Sequence, residues 1–279
     1  MFVLKAGGKK EYFNKKNIEH SLAAIGLDAK ITKGLADEVS LKFRKSVSSD
    51  EIFRYVISRL KSYGPEFLGK YNLRRAIMHL GPTGYPFEKY VGKILEEYGY
   101  KVKTNQIIQG ACVKHEIDVV ARKDKSHFIV ECKYHNTPGA RSDLKVALYV
   151  WARFLDIKQK WESDPKHDQP WIHGVWLMTN TRCTSEAIDY GNCVGMLVTG
   201  WGYPKGMSLE ELIHQKKLYP INIFPDWAGR LAYHRLYENN IYLLRDCLSL
   251  SAKDLAKKAD IKEMEAAVFQ EEARKLIQG

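Results

Sequence analysis

One run, His115 to Lys133 (HEIDVVARKDKSHFIVECK), restricts the possible folds of this chain more than any other. Two short apolar segments flank the polar Lys123-Asp124-Lys125-Ser126, a pattern that predicts two strands joined by a tight turn. Side chains alternate across a strand, so Glu131 and Lys133 share one face while Val130 and Cys132 enter the opposite layer. Asp118 comes from the neighbouring strand. Charged groups inside a sheet are costly to desolvate unless they are paired or bind an ion. Two carboxylates and a lysine on adjacent strands therefore point to a bound partner.

The flanking sequence supplies the rest of a layered domain. Pro86 suits a first helical turn, and Phe87, Val91, Ile94, Leu95 and Tyr98 make an apolar stripe that Gly99 ends. Glu88 borders that stripe. Strands are expected over 101–109, 115–122 and 127–134, a helix over 142–157, a strand over 172–178, a helix over 185–192 and a last strand over 196–199. The order αβββαβαβ calls for a mixed sheet flanked by helices, its last strands reached by helical crossovers.

Hard divalent cations take oxygen ligands, and Mg²⁺ is commonly held by one or two carboxylates with backbone carbonyl and water. Asp118 and Glu131 supply the carboxylates and the Cys132 carbonyl a further ligand. Lys133 beside them is placed to orient water and to offset charge building on phosphorus. The chemistry expected is phosphodiester hydrolysis. A structural salt-bridge cluster of Asp118 and Glu131 with Lys133 and Lys114 is the plainer alternative. Glu116 is left out of the metal shell, on the expectation that it points away from Asp118. His115 and His135 flank the strands, set either to touch phosphate or to face solvent, and Tyr134 is read as packing.

Helix Glu88, then Glu116-Ile117-Asp118, then Val130-Glu131-Cys132-Lys133, resembles the PD-(D/E)xK nuclease superfamily, most nearly its Mrr-type restriction endonuclease catalytic domain. Thr179-Asn180 with Thr184, Ala187 and Tyr190 extends the likeness, which covers about 84–203. The resemblance implies a restriction-endonuclease-like αβββαβ core and a Mg²⁺- or Mn²⁺-dependent endonuclease acting on duplex or branched DNA, in restriction, defence or repair. Asp118, Glu131, Lys133 and Glu88 are its implied catalytic residues, with Asp118, Glu131 and Cys132 at the metal.

Ahead of this core, residues 2–13 predict a hairpin turning at Gly7-Gly8, followed by four helices. Ser48 with Glu51 makes a capping box at the third helix, and Gly81-Pro82-Thr83-Gly84 is a linker. Val3, Lys5, Gly8, Glu11, Phe13, Asn14 and Ile18, the Ser48–Ile52 helix start, and Tyr71-Asn72-Leu73-Arg74-Arg75-Ala76 resemble an ATP-cone over residues 1–82. That likeness implies ATP or dATP as effector, with Lys5, Glu11, Asn14 and Ser48 as contacts. Ala6 after Lys5, Asn17 and Gly81-Pro82 depart from the family at its phosphate-binding positions.

Residues 207–279 read as all-helical, and the segments 251–258 and 262–277 loosely resemble a helix-hairpin-helix unit. DNA contact and protein–protein packing, including a homodimer, are both open for it. The net charge of +11 is uneven: residues 1–83 carry 16 Lys and Arg against 8 Asp and Glu, and residues 207–279 carry 11 against 11. The excess suits a polyanion such as DNA or a nucleotide. No apolar run reaches the roughly 18 residues of a membrane span, and the N-terminal stretch lacks a signal-like segment, so a cytoplasmic protein without membrane contact is expected. Five cysteines without a C-x-x-C pair read as reduced thiols.

The organisation expected is an ATP-cone-like domain over 1–82, a nuclease domain over 84–206 and a helical domain over 207–279. The functional expectation is a metal-dependent deoxyribonuclease regulated by adenine nucleotide. Its rival is a nucleotide-sensing DNA-binding regulator that keeps the nuclease fold only as a scaffold.

Overall fold

The computed structural model describes residues 2–5, 8–137, 139–163, 172–225, 227 and 229–278, so the Gly7 half of the expected Gly7-Gly8 turn lies outside them. In chain order the elements begin with β1 (Phe2–Leu4), β2 (Lys10–Tyr12), α1 (Lys15–Ala24), α2 (Ala29–Lys42), β3 (Val47–Ser48), α3 (Ser49–Leu60) and α4 (Pro65–Met78). The sheet region follows with α5 (Tyr85–Glu97), β4 (Lys101–Gln109), β5 (Lys114–Lys123), β6 (Ser126–Lys133), β7 (Arg141–Ser142) and α6 (Leu144–Glu162). It continues through β8 (Gly174–Thr179), β9 (Arg182–Cys183), α7 (Ser185–Val194), β10 (Leu197–Thr199) and α8 (Leu209–Gln215). The chain closes with α9 (Gly229–Glu238), α10 (Leu244–Leu248), α11 (Ala252–Ala259) and α12 (Glu263–Gln278).

Two compact units result: Met1–Ala76 with Ile221–Gly279, and Ile77–Pro220. This departs from three consecutive segments, and the reason is visible in hydrogen bonds between residues far apart in sequence. In the first unit the Asn72 amide donates to the Ile223 carbonyl at 2.7 Å and the Asn222 amide to the Ala76 carbonyl at 2.9 Å. In the second, the Tyr90 and Tyr98 hydroxyls of α5 donate to the carbonyls of Leu218 and Leu212 at 2.6 and 3.0 Å. Residues 207–220 are thereby fastened to the sheet unit.

The first unit sets β1 between β2, antiparallel, and β3, parallel. The parallel pairing of Val3 with Val47 was not foreseen in the sequence, because two-residue β3 is too short to show alternation. Asp260 ends α11 in a left-handed conformation, and α12 buries Ala266, Phe269, Ala273 and Leu276, a helical repeat along one face.

The second unit is a five-stranded mixed sheet in the order β10-β8-β6-β5-β4. Strands β4, β5 and β6 are antiparallel neighbours, while β8 runs parallel to both β6 and β10. Helix α5 buries Phe87, Tyr90, Val91, Ile94 and Leu95, and Gly92 lets it approach β4, since a side chain there would meet Thr104. Helix α6 contributes Ala147, Val150, Phe154 and Ile157 to a core shared with Ile117, Ile129, Val175 and Leu177. Each full burial of such an aliphatic side chain contributes about 1.5–3 kcal/mol. The expected αβββαβαβ order is present, with small shifts of the element ends.

Candidate active site

Asp118 sits where two ladders part. The β5–β6 pairing runs from Lys123–Ser126 back to Val119–Val130 and stops there, one step short of Asp118 and Glu131. On the other side, β4 pairs Thr104 with Val119 and Gln106 with Ile117, skipping Asn105, whose φ of 53° kinks the strand opposite Asp118. The carboxylate takes over where the backbone ladder ends: Asp118 Oδ2 accepts the Cys132 amide at 2.7 Å. That bond fixes Asp118 against the strand carrying Glu131.

Glu131 is met from α6. Arg153 Nη1 donates to Glu131 Oε2 at 2.5 Å, and the guanidinium lies 5.2 Å from the centre of the Tyr149 ring. Arg153 Nε is buried and has no hydrogen-bond partner among the described residues. Glu88, in the first turn of α5, is half-buried and extends its carboxylate back toward Gly84.

All three acids have raised pKa values, in each case chiefly through burial. Burial pushes Glu88 up to about 7, and the charges of Asp118, Glu116 and Glu131 add to it. Burial and then Asp118 push Glu131 up to about 7, against the opposing charges of Arg153 and Lys133. Asp118 is raised chiefly by burial, with the Cys132 amide, Arg153 and Lys133 pulling the other way. Burial, only partly offset by Arg153 and Lys133, thus disfavours the ionised forms of these carboxylates.

Glu116 requires a correction. Residues two apart share a strand face, so Glu116 projects to the same side as Asp118, and its charge raises the pKa of both Asp118 and Glu88. It lies near Asp118, on the face from which it was expected to point away.

Lys133 ends β6 with an exposed side chain, and its charge favours the ionised forms of Asp118 and Glu131 while opposing protonation of His135. Neither flanking histidine faces solvent. His115 Nε2 lies 2.6 Å from Asp156 of α6, and His135 Nε2 lies 3.0 Å from Ser142 Oγ, which donates in turn to Thr179 Oγ1 at 3.2 Å. Asn180, fully buried, accepts the His135 amide and donates to the His135 carbonyl, both at 2.8 Å. The Asn180 side chain thus continues the β6–β8 pairing past Lys133–Thr179, where the ladder ends, and braces the strand behind the lysine. The Tyr134 hydroxyl donates to the carbonyls of Met78 and Gly81 and its ring packs on Phe87, as the packing reading expects.

Asp118 and Glu131 are hard oxygen donors on facing positions, a set that fits Mg²⁺ or Mn²⁺ when backbone and water complete the shell. Among the described residues no group of three or more His, Cys, Asp or Glu side chains is arranged to hold a metal ion. Cys132 is buried and its amide is spent on Asp118, which leaves its carbonyl as the part relevant to a ligand. The five cysteines are free thiols, three of them buried.

The residues expected to contact nucleotide lie in the other unit. Lys5 Nζ pairs with Glu11 Oε2 at 3.5 Å, and Leu4 stands opposite Ser48 in the small sheet. Asn14 caps α1 by accepting the Lys16 amide at 3.0 Å, while Ser48 caps α3, accepting the Glu51 amide at 3.1 Å. Their polar atoms are engaged in holding local structure.

Arg153, Asp156 and Asn180 were not singled out beforehand as site residues. Only Asn180 carried a signal, through the Thr179-Asn180 pair.

Residues 82–147 match the restriction endonuclease model Mrr_cat, a span that contains Glu88, Asp118, Glu131 and Lys133. An uncharacterized protein of Archaeoglobus fulgidus is 36% identical over 187 residues, 67% of this chain and 99% of that protein. The crystal structure of the protein of unknown function AF1548 superposes with a TM-score of 0.58 at 36% identity, covering 71% of this chain and all of the other. No helix among the described residues is long and apolar enough to cross a membrane.

Proposed function

The chain belongs to the family of that archaeal protein and carries a restriction-endonuclease domain of the PD-(D/E)xK superfamily at residues 82–147, and from this premise we propose that it is a metal-dependent DNA endonuclease. The observation that carries the reading is the half-buried trio of Asp118, Glu131 and Glu88, each with its pKa raised, beside the exposed Lys133. Asp118, Glu131 and the Cys132 carbonyl hold Mg²⁺ or Mn²⁺ in this proposal. When bound, the cation supplies a Lewis acid for the phosphoryl oxygen and lowers the pKa of its water. Lys133 orients the attacking water and offsets charge on the phosphate. Glu88 borders the cluster from α5 and accepts hydrogen bonds from water entering it.

DNA, duplex or branched, is the substrate, attracted by the basic surplus of the N-terminal third. The α11–α12 pair is offered to the DNA backbone or to a second copy of the chain. In this proposal adenine nucleotide acts as effector through Lys5, Glu11, Asn14 and Ser48 of an ATP-cone-like segment, supported by the pairing of β1 with both β2 and β3, which carry Glu11 and Ser48. The setting is cytoplasmic, in restriction, defence or repair.

A second reading is a DNA-binding regulator on a non-cleaving scaffold, favoured by Arg153 seated on Glu131. The two are separated by plasmid and oligonucleotide cleavage with Mg²⁺, Mn²⁺ or EDTA, with and without ATP, beside Asp118→Asn and Lys133→Ala. Metal-dependent cleavage lost in both variants is expected. Cleavage that survives both removes the site assignment, and no cleavage under any condition favours the regulator.

A further inference from the structure

We infer that Arg153 is a built-in rival of the divalent cation: it neutralises Glu131 in the metal-free protein and keeps cation affinity low. The inference rests on Asp118 and Glu131 being the cation ligands. Arg153 is only 9% exposed, and the carboxylate it holds is one of the two proposed to take the metal. A guanidinium can grip a carboxylate through two parallel bonds, yet here a single Nη1 contact is made and the buried Nε is left without a partner. The small cavity beside the pair is lined otherwise by aliphatic side chains, Ile117, Ile129, Val130, Val150 and Val175, and Glu131 is the one hydrogen-bond acceptor Arg153 meets among the described residues. The Tyr149 ring beneath it provides a cation–π seat independent of Glu131.

Two consequences follow from charge alone. A divalent cation on Glu131 would stand within a few ångströms of the Arg153 guanidinium, a positive charge. Like charges at that separation in a partly buried site repel strongly enough to weaken binding by about tenfold or more. Removing the guanidinium therefore tightens cation binding, whereas a merely supportive arginine that orients Glu131 would loosen it when lost. The sign of the change is the test.

Isothermal titration calorimetry of Mn²⁺ into the full-length protein, without DNA, reads that sign. Arg153→Met is expected to bind Mn²⁺ about tenfold more tightly than the wild type, and Asp118→Asn to abolish binding in either background. Equal or weaker binding by Arg153→Met overturns the rivalry. Binding that survives Asp118→Asn overturns the ligand assignment instead, so the two failures are distinguishable. Stripping a buried carboxylate of its partner can unfold a protein, so a second measurement uses wild-type protein labelled with ¹⁵N at arginine. The Arg153 Nε–H signal, identified by its loss in Arg153→Lys, is expected to shift as Mg²⁺ saturates. A signal unmoved at saturating Mg²⁺ overturns the inference.

Discussion

Helix α6 reaches the sheet through two side-chain pairs three residues apart, the Arg153–Glu131 ion pair and the Asp156–His115 hydrogen bond, and the carboxylates in them live in opposite conditions. Asp156 accepts His115 Nε2 at 2.6 Å, the Cys112 amide at 2.8 Å and the Val113 amide at 3.4 Å. His115 and these amides hold its pKa down to about 2. Glu131 receives one donor, and burial and Asp118 drive it up to about 7. A carboxylate whose lone pairs are filled is a fastener; one with a single donor keeps lone pairs free for another partner.

The largest expected effect tests that division directly. Asp118→Asn keeps an oxygen for the Cys132 amide but removes the charge. It should cut Mg²⁺-dependent cleavage by more than the roughly 100-fold typical of losing an outer-shell partner, with little change in melting temperature. Asp156→Asn, in the saturated pair, should leave the cleavage rate within a few-fold of wild type. Equal losses in the two variants would break the contrast between fastener and site.

Next in size is a steric test of the fastener. A side chain at Gly110 would place its Cβ 2.0 Å from Asp156 Oδ2 and 2.9 Å from the Val113 carbonyl. Three donors anchor Asp156, so it has no free direction in which to retreat. Gly110→Ala should therefore cost about 1–3 kcal/mol in urea unfolding, the usual penalty of overpacking, and Asp156→Ala in the same chain should recover part of it. A neutral Gly110→Ala would show that the β4–β5 loop yields and that Asp156 is not held as tightly as its bonds suggest.

The same two pairs show how far sequence carries. Asp118, Glu131 and Lys133 stood out because charge in the middle of an alternating apolar strand has few inexpensive explanations. The strands themselves were legible because β-branched runs with a polar turn have a short period. Arg153 and Asp156 gave no such sign. A lone Arg or Asp on a long amphipathic helix reads as solvent-facing until the sheet that receives it is in place, and their partners lie 22 and 41 residues away. The C-terminal helices were legible one by one, from caps such as Ser251 and from apolar spacing. Their grouping with the N-terminal segment was not, since it depends on two asparagine side chains bonding to carbonyls about 150 residues distant.

A smaller effect should come from pH. Asp156 has a folded pKa below the ordinary carboxylate value near ~4, so it contributes stability above that value which is lost as pH falls toward about 2. Asp156→Asn should flatten the stability curve in that acidic window and leave its shape near neutrality unchanged. The check is thermal unfolding from pH 7 down to pH 2; an unaltered acid limb would mean that the His115 pair adds nothing to folding.

The smallest stability effect belongs to Glu88, and it has the opposite sign. Its folded pKa is raised to about 7, above the ordinary glutamate value of about 4.3. The folded chain therefore keeps a proton that the unfolded chain has released. Stability from this group is full below about 4.3 and is lost as pH rises through about 7. Glu88→Gln should match the wild type at pH 4 and exceed it slightly at pH 8, by less than about 1 kcal/mol because solvent screens a half-buried group. If Glu88 served only the packing of α5, cleavage would be unaffected. The expected result is a small gain in melting temperature at pH 8 together with a fall in cleavage of roughly tenfold, the range for losing a supporting group at a metal centre. A residue that weakens the fold in its charged form and is needed for turnover belongs with Glu131, and one whose loss leaves cleavage intact belongs with Asp156.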